Sequence, residues 1–379
     1  MLAQILAAVA CAIWLYLLLG RGGFWLARER DWGELRRPRA WPKVAIVVPA
    51  RDEAEGIGAS LASLLRQDYP GAWRIVLVDD GSSDGTAAIA QRTAAQHAAE
   101  ARLTIMPGRP LPGGWTGKVW AQSQGIEAAQ RDQPDYLLLT DADIVYAPEM
   151  LTRLVARAER DHLALASLMV LLRCESLAER ALVPAFVFFF QLLYPFGWIK
   201  EERRRIAGAA GGSMLVRAQT LARAGGIGMI RNALIDDCAL AAILKAQGPI
   251  WLGLTERVNS IRRYGAFGDI RRMVARSAYA QLHYSPLLLI GTVAGMGLTY
   301  LVPPLVALAA SGLARALGLA AWLAMAIAFQ PTLRLYRVSP LWGIALPAIA
   351  FCYALFTLDS ALQYARGKGG MWKGRVQVR

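Results

Sequence analysis

Apolar residues are concentrated at the two ends of the chain and leave a mixed segment between them. The first block, residues 1–20, has about the ~20 apolar residues that a helix needs to cross a bilayer. A cleaved signal peptide is the alternative, but the block lacks a basic amino-terminal region and its apolar run is long for one. Arginines are frequent in the following linker, residues 21–42, which predicts a retained anchor with this linker on the cytoplasmic side.

From residue 43 to about 172, short β-rich runs alternate with alanine-rich segments that have one polar face. The predicted strands are KVAIVVPA, WRIVLVDD, RLTIM, DYLLLTDAD and LALASLMVLL, and the predicted helices cover 55–67, 84–97, 118–131 and 148–161. This alternation predicts an α/β domain with a parallel sheet, whose ligand site lies at the carboxyl ends of the strands. We place the domain at residues 43–262.

The carboxyl third is apolar again, in runs at 286–310, 313–329 and 341–362 within a membrane region of residues 285–365. Counting the anchor, four crossings would leave the basic tail, residues 366–379, outside, against the positive-inside rule. The rule fails here, or one run is re-entrant or interfacial.

Two segments combine aromatic residues with basic residues that lie within the segment or directly after it. They are residues 181–198 and 262–284, and we assign residues 263–284 as an interfacial segment at the lipid headgroups. A buried core helix or a solvated basic face is the alternative for each.

Composition supports a membrane protein. The 379 residues are 55% hydrophobic with a mean hydropathy of +0.33, and yet the net charge is +14. A nucleic-acid binder would spread its basic residues through a polar chain, so this combination favours a membrane protein with a basic cytoplasmic face. The four cysteines lie far apart, which predicts neither a disulfide framework nor a zinc site and fits a reducing compartment.

Acidic residues form four clusters, and strands lead into the first three. The clusters are VVPARDEAEG, VLVDDGSSDGT with Asp79 and Asp80, LTDAD with Asp141 and Asp143, and LIDDCAL with Asp236 and Asp237. Taken singly, each is explained by turn residues, a helix cap or a solvated pair. Two carboxylates one residue apart at a strand end repel each other, however, and are tolerated most easily beside a cation.

With these motifs the chain resembles the family 2 glycosyltransferases, which have a GT-A fold. The resemblance runs through VVPARDE, VDDGSSDGT, TDAD, GGSMLVR and DDCAL over about residues 43–276. The stretch GGWTGKVWA, the anchor and the carboxyl-terminal apolar runs are similar to the ceramide glucosyltransferase relatives. Within that group the chain most closely resembles the bacterial hopanoid-associated glycosyltransferases.

The resemblance implies a nucleotide-sugar donor, expected to be a UDP-sugar, and a divalent cation, Mg²⁺ or Mn²⁺. Carboxylate oxygens suit both cations. The family pattern makes Asp143 the direct metal ligand, with Asp141 beside it and also near the ribose or the donor sugar. The other residues that it assigns to the donor are Pro49, Ala50, Glu53, Asp79, Asp80, Lys118 and Arg276. For Lys118, which would face the donor phosphates, a solvent-exposed lysine at a helix start is the alternative.

For catalysis, the resemblance implies a general base that deprotonates the acceptor hydroxyl and gives inversion. Asp237 matches this base, and Asp236 takes the first place of the acidic pair, where the family commonly has Glu. The Gln-x-x-Arg-Trp motif of the family survives here only as Arg276 in MVARS, so we assign Arg276 to the diphosphate and drop the tryptophan role.

The sequence therefore predicts a membrane-bound inverting transferase in the bacterial inner membrane. It would move one sugar to a lipid acceptor, a hopanoid or a related lipid, at the cytoplasmic face. A polyprenyl phosphate or a glycerolipid is the alternative acceptor, and an inactive membrane scaffold is the alternative to an enzyme. The four intact acidic clusters argue against the scaffold, because a scaffold would not need them.

Overall fold

A mixed eight-stranded sheet forms the centre of the protein. The structure is a computed structural model that describes residues 1–33, 37–372 and 375–376. The strands are β1 (Val44–Ala50), β2 (Trp73–Asp79), β3 (Leu103–Pro107), β4 (Tyr136–Thr140), β5 (Ile144–Tyr146), β6 (Leu165–Leu171), β7 (Ser213–Arg217) and β8 (Ile250–Ser260). Their order in the sheet is β3-β2-β1-β4-β7-β6-β8-β5. A short antiparallel pair follows near the carboxyl terminus, β9 (Met371–Trp372) and β10 (Arg375–Val376). Parts of the predicted linker (34–36) and tail (373–374 and 377–379) lie outside the described residues.

Fifteen α-helices are found in the described part of the chain. They are α1 (Leu2–Leu19), α2 (Ala54–Leu65), α3 (Thr86–Gln96), α4 (Gly117–Ala129), α5 (Met150–Arg160), α6 (Leu177–Leu193), α7 (Phe196–Ile199), α8 (Ala218–Arg223), α9 (Asp236–Lys245), α10 (Phe267–Ala275), α11 (Ala278–Gln281), α12 (Pro286–Met296), α13 (Val302–Ala309), α14 (Gly312–Leu335) and α15 (Leu346–Ala365). The five strands and four helices predicted between residues 43 and 172 are confirmed to within a few residues.

The sheet is not parallel throughout, so the prediction of a parallel sheet was wrong for part of it. Strands β3, β2, β1 and β4 are parallel, but β7 is antiparallel to both β4 and β6, and β5 is antiparallel to β8. After β6 the chain forms α6 and α7 instead of crossing back over the sheet, so β7 enters from the edge at which β6 ends. The start of β7 therefore lies beside the end of β4, and Thr140 pairs with Ser213.

Helices cover both faces of the sheet. All seven residues of β1 are buried, as expected for a strand with apolar layers on both sides. Ile57 and Leu61 of α2 pack on one face, and Val119 of α4 packs on the other. Gly125 of α4 allows a close approach there, because a Cβ at this position would lie 2.5 Å from Cγ1 of Val47.

Five helical segments of the described chain are long and apolar enough to cross a membrane. They are Leu2–Leu19, Leu177–Ile199, Pro286–Ala309, Gly312–Leu335 and Leu346–Ala365. The second contains the segment that the sequence assigned to the headgroup layer. Its residue Phe188 is fully buried against Phe24 and Phe329, which agrees with the alternative of a core helix.

Candidate active site

A cavity of about 540 Å³ lies where the ends of β1, β4, β6 and β8 meet the start of β7. Three of the four acidic clusters contribute side chains to its wall. Of the residues predicted from the sequence, the wall contains Pro49, Glu53, Lys118, Asp141, Asp143, Asp236, Asp237 and Arg276. Residues that are far apart in the sequence thus share one site. Strand ends at one edge of the sheet supply Pro49, Glu53, Asp141 and Asp143, and helices α4 and α9 and the residue after α10 supply the others.

Lys118, in the first turn of α4, lies among three of these carboxylates. Its Nζ is 2.7 Å from Oδ1 of Asp141 and 3.4 Å from Oδ2 of Asp236. Burial opposes the charge of Lys118, but Asp141, Asp236 and Asp237 together outweigh it and raise its pKa above the ordinary value. Only 18% of the side chain is exposed, so the alternative of a solvent lysine at a helix start was wrong.

Two backbone N–H groups hold Asp237. The N–H of Gly211 donates to Oδ2 at 2.9 Å, and the N–H of Cys238 donates to Oδ1 at 2.8 Å. Burial, followed by the repulsion from Asp236, raises the pKa of Asp237 to about 6, although Lys118 and the two N–H groups act in the opposite direction. A carboxylate with this pKa is ionised at neutral pH and still accepts a proton readily, as a general base must.

Asp236, next in the chain, has a buried oxygen that is poorly satisfied. Its Oδ2 makes the ion pair with Lys118 but has no hydrogen-bond partner in the described part of the chain. A buried polar atom of this kind usually has a functional explanation or a missing ligand.

Asp143 and Glu53 are joined by an arginine that the sequence analysis did not assign to the site. Nε of Arg262 is 2.8 Å from Oδ2 of Asp143, and Nη2 is 2.8 Å from Oε1 of Glu53. The hydroxyl of Ser260 also donates to Oδ2 of Asp143, at 3.1 Å. Arg262 stands beside Arg263 at the start of a basic segment, and no signal in the sequence distinguishes the two arginines.

The carboxylates of the cavity suit a divalent cation that binds together with phosphate. Among the described residues, no group of three or more His, Cys, Asp or Glu side chains is placed to hold a metal. Asp141 and Asp143 do face the same cavity, and each has one carboxylate oxygen engaged by a cationic side chain. Mg²⁺ sites commonly use one or two carboxylates and complete the shell with water and substrate phosphates, and the pair fits that arrangement.

The predicted nucleotide residues Ala50, Asp79 and Asp80 are not in the wall of this cavity but lie along the adjacent edge of the sheet. Ala50 is the register partner of Asp79, and its carbonyl accepts the N–H of Asp80 at 2.8 Å. Oδ1 of Asp79 accepts the N–H of Ser82 at 3.0 Å. The ends of β1 and β2 therefore extend the site away from the acidic cavity.

A second cavity, of about 420 Å³, continues from the first into the helical region. The two cavities share Lys118, Asp236, Asp237 and Arg276, with Arg276 directly after α10. Beyond Asp237 the second cavity lies between α6, α12 and α15, and its wall becomes aromatic and apolar. The wall there includes Phe189, Phe190, Met296, Tyr300 and Tyr353.

Part of the domain is similar to known proteins. Residues 45–222 match the family model described as "Glycosyl transferase family 2". An N-acetylglucosaminyltransferase of Mesorhizobium japonicum is 32% identical over 120 residues, which are 31% of this chain and 26% of that protein. An undecaprenyl-phosphate 4-deoxy-4-formamido-L-arabinose transferase of Salmonella choleraesuis is 32% identical over 124 residues, 31% of this chain and 34% of that protein. The similarity thus spans about a quarter to a third of these relatives.

A solved structure extends the likeness to nearly the whole chain. The mannosyltransferase from Pyrobaculum calidifontis, in complex with GDP-Man and Mn²⁺, aligns with 94% of this chain and 99% of its own, with a TM-score of 0.59 and 20% identity. At this identity the likeness shows the fold, a GT-A-like domain with associated apolar helices. The finer resemblance to hopanoid-associated glycosyltransferases stays a prediction.

Proposed function

We propose that this chain, whose residues 45–222 match the family 2 glycosyltransferase model, is a membrane-bound inverting transferase. It would move a single sugar from a nucleotide-sugar donor to a lipid acceptor. One observation carries the proposal: the acidic cavity at the edge of the sheet opens at Asp237 into an apolar cavity between helices that are long and apolar enough to cross a membrane.

The donor would occupy the sheet edge from β2 to β4. Asp79 and Asp80 would bind the nucleoside, Pro49 and Ala50 would line its path, and Arg276 would contact the diphosphate. Asp143 and Asp141 would hold Mg²⁺ or Mn²⁺, which supplies stabilisation of the negative charge on the leaving diphosphate. The mannosyltransferase with GDP-Man and Mn²⁺ supports a donor and cation of this kind, while the expected UDP-sugar remains to be tested.

The acceptor would approach from the apolar cavity, with its hydroxyl at Asp237. As the hydroxyl oxygen bonds to the anomeric carbon, its proton passes to Asp237, and the bond from that carbon to the diphosphate oxygen breaks. A single displacement of this type inverts the anomeric centre. The N–H groups of Gly211 and Cys238 fix the carboxylate, and Lys118 forms ion pairs with Asp141 and Asp236 in the same cavity.

The geometry favours an acceptor with a neutral hydroxyl group. Such an acceptor needs a base, and Asp237 lies at the mouth of the apolar cavity. A polyprenyl phosphate, the acceptor named for the Salmonella relative, is already an anion and would be repelled by Asp236 and Asp237. A hopanoid or a related lipid alcohol is our choice on the sequence resemblance, and a glycerolipid with a free hydroxyl is the second candidate.

We place the catalytic domain at the cytoplasmic face of the bacterial inner membrane. Contacts of the domain with residues that follow α1 and α14 support a location of both helix ends on the side of the domain. Arg30, soon after α1, is 3.5 Å from Glu256 of β8. Arg337, directly after α14, is 3.1 Å from the same carboxylate. The arginines of the linker would put this side in the cytoplasm by the positive-inside rule.

The last apolar run would then be re-entrant. After Arg337 the chain returns along α14, where Nε1 of Trp322 donates to the carbonyl of Ile344 at 3.0 Å. Helix α15 starts there, but its end is back at the domain side, where Tyr364 stacks on Tyr284 with ring centroids 4.5 Å apart. Three crossings would place the basic tail in the cytoplasm, which removes the conflict with the positive-inside rule. A fluorescent protein fused to the carboxyl terminus should fluoresce. An active alkaline phosphatase fused at the same position would contradict this topology.

The function is tested by nucleotide release from UDP-, GDP- and CMP-sugars by the protein in native-like lipid. Assays with and without Mn²⁺ or Mg²⁺ would use hopanoid-containing lipid extract, polyprenyl phosphate or diacylglycerol as acceptor. We expect cation-dependent release from one donor, lost in Asp143→Asn and Asp237→Asn but kept in Asp132→Asn, which alters an ion pair with Arg74 in which Asp132 is 53% exposed. No turnover with any pair, together with no nucleotide binding by calorimetry, would refute the proposal and favour a scaffold.

A further inference from the structure

Arg262 occupies one carboxylate of the proposed cation site, Asp143, and a neighbouring carboxylate, Glu53. Its guanidinium bridges Asp143, which follows β4, and Glu53, which follows β1, with both contacts at 2.8 Å. It belongs to the irregular segment 261–266 after β8, and 36% of its side chain is exposed. The side chain can therefore leave the two carboxylates without the loss of a helix or a strand.

Two physical facts bear on what this bridge does. A positive charge close to a cation site lowers the affinity for a divalent ion, because like charges repel strongly in a partly buried cavity. Guanidinium also binds phosphate and carboxylate with the same forked geometry, so a diphosphate is a suitable alternative partner for Arg262.

We propose that Arg262 is a positioning residue that makes cation binding depend on the donor. In the donor-free protein it neutralises Asp143 and Glu53 and keeps the site weak for free divalent ions. When a nucleoside diphosphate enters, the guanidinium exchanges the carboxylates for phosphate oxygens and releases Asp143. This inference rests on the proposed donor and cation site. Because coupling between two ligands is reciprocal, the cation and the donor then favour each other's binding.

An ordinary structural role predicts the opposite behaviour. Carboxylates that ligate metals are often oriented by a neighbouring hydrogen bond, and Arg262 could serve Asp143 in that way. The loss of an orienting arginine would weaken Mn²⁺ binding. The loss of a competing arginine would strengthen it.

The test measures two equilibria on the full chain in detergent. Mn²⁺ binding without nucleotide is followed by electron paramagnetic resonance, and UDP and GDP binding without metal is followed by calorimetry. Arg262→Gln should bind Mn²⁺ roughly tenfold more tightly and the matching nucleotide roughly tenfold more weakly than wild type. Arg262→Lys, which keeps the charge, should bind Mn²⁺ as weakly as wild type, and the control Arg263→Gln, at an exposed position, should match wild type in both.

Each outcome supports or overturns the proposed role of Arg262. Unchanged or weaker Mn²⁺ binding in Arg262→Gln, in a protein whose Mn²⁺ binding is lost in Asp143→Asn, overturns this inference and leaves the proposed function intact. Tighter binding in Arg263→Gln as well overturns it in favour of a general charge effect. Mn²⁺ binding by wild type that is indifferent to Asp143→Asn overturns both this inference and the proposed cation site.

Discussion

Replacement of Lys118 by methionine should destabilise the protein more than the loss of any exposed ion pair. Methionine keeps the length of the side chain and removes its charge, so three carboxylates are left facing one another. At an effective dielectric constant of ~20, the contacts of Lys118 with Asp141 at 2.7 Å and with Asp236 at 3.4 Å correspond to attractions of about 6 and about 5 kcal/mol. Burial of the ammonium group offsets much of this, and breaking such a pair costs about 3–5 kcal/mol.

The penalty should depend on pH in a defined direction. The pKa of Lys118 is raised, so its contribution is complete at all pH values below the ordinary range of lysine. The pKa values of Asp141 and Asp237 are already raised by burial, and loss of the cation raises them further. At about pH 5.5 Asp237 can take up a proton and relieve the repulsion, whereas at about pH 8 it is ionised, so the deficit grows with pH.

The assay is thermal unfolding in detergent, followed by tryptophan fluorescence at both pH values. We expect Lys118→Met to lower Tm by roughly 5–15 °C at the higher pH. The matched control Lys200→Met removes an ion pair with Glu29 in which Lys200 is 52% exposed, and such pairs contribute about 0–1 kcal/mol. The electrostatic reasoning is wrong if both variants lose the same Tm, or if the loss for Lys118→Met is equal at both pH values.

Four further predictions concern the same site and its support. Sugar transfer should fall as the pH drops through about 6, because protonated Asp237 cannot accept the acceptor proton; a pH profile that is flat down to about pH 5 contradicts this role. A raised pKa means that the folded protein binds the proton of Asp237 more tightly than the unfolded chain does. The protein should therefore lose stability as the pH rises from 3.8 to about 6. Measured as Tm over this range, the loss should be absent in Asp237→Asn. Gly211→Ala would put a Cβ 3.0 Å from Nζ of Lys118 and 3.4 Å from Oδ2 of Asp237. We therefore expect kcat to fall about tenfold or more with a small change in Tm. An unaltered kcat would show that the cavity has room for the methyl group. Gly125→Ala, with its Cβ 2.5 Å from Cγ1 of Val47, should instead lower stability by about 1–3 kcal/mol in thermal unfolding, and an unchanged Tm would show that α4 can move off the sheet.

The sequence by itself determined the local elements and the chemical inventory. Strands and helices of residues 43–172 follow from hydrophobic periodicity, which is a property of neighbouring residues. Apolar run length likewise predicted the first helix and the carboxyl-terminal helices, and the first three acidic clusters lie at strand ends as predicted. Four of the eight predicted residues in the cavity, Pro49, Glu53, Asp141 and Asp143, meet there because strand ends at one edge of a sheet converge.

Only the tertiary structure decided which groups touch. The antiparallel course of β7 brings the N–H of Gly211 to Asp237. The pairing of β8 with β5, which sets Ser260 opposite Ile144, brings Arg262 to Asp143. The burial of Lys118 depends on carboxylates from two distant parts of the chain. The return of α15 to the domain side depends on the hydrogen bond from the N–H of Tyr279 to Ser360 and on the stacking of Tyr364 on Tyr284. These contacts join residues tens to hundreds of positions apart, and hydrophobic periodicity, which reports on neighbours along the chain, carries no information about such pairings.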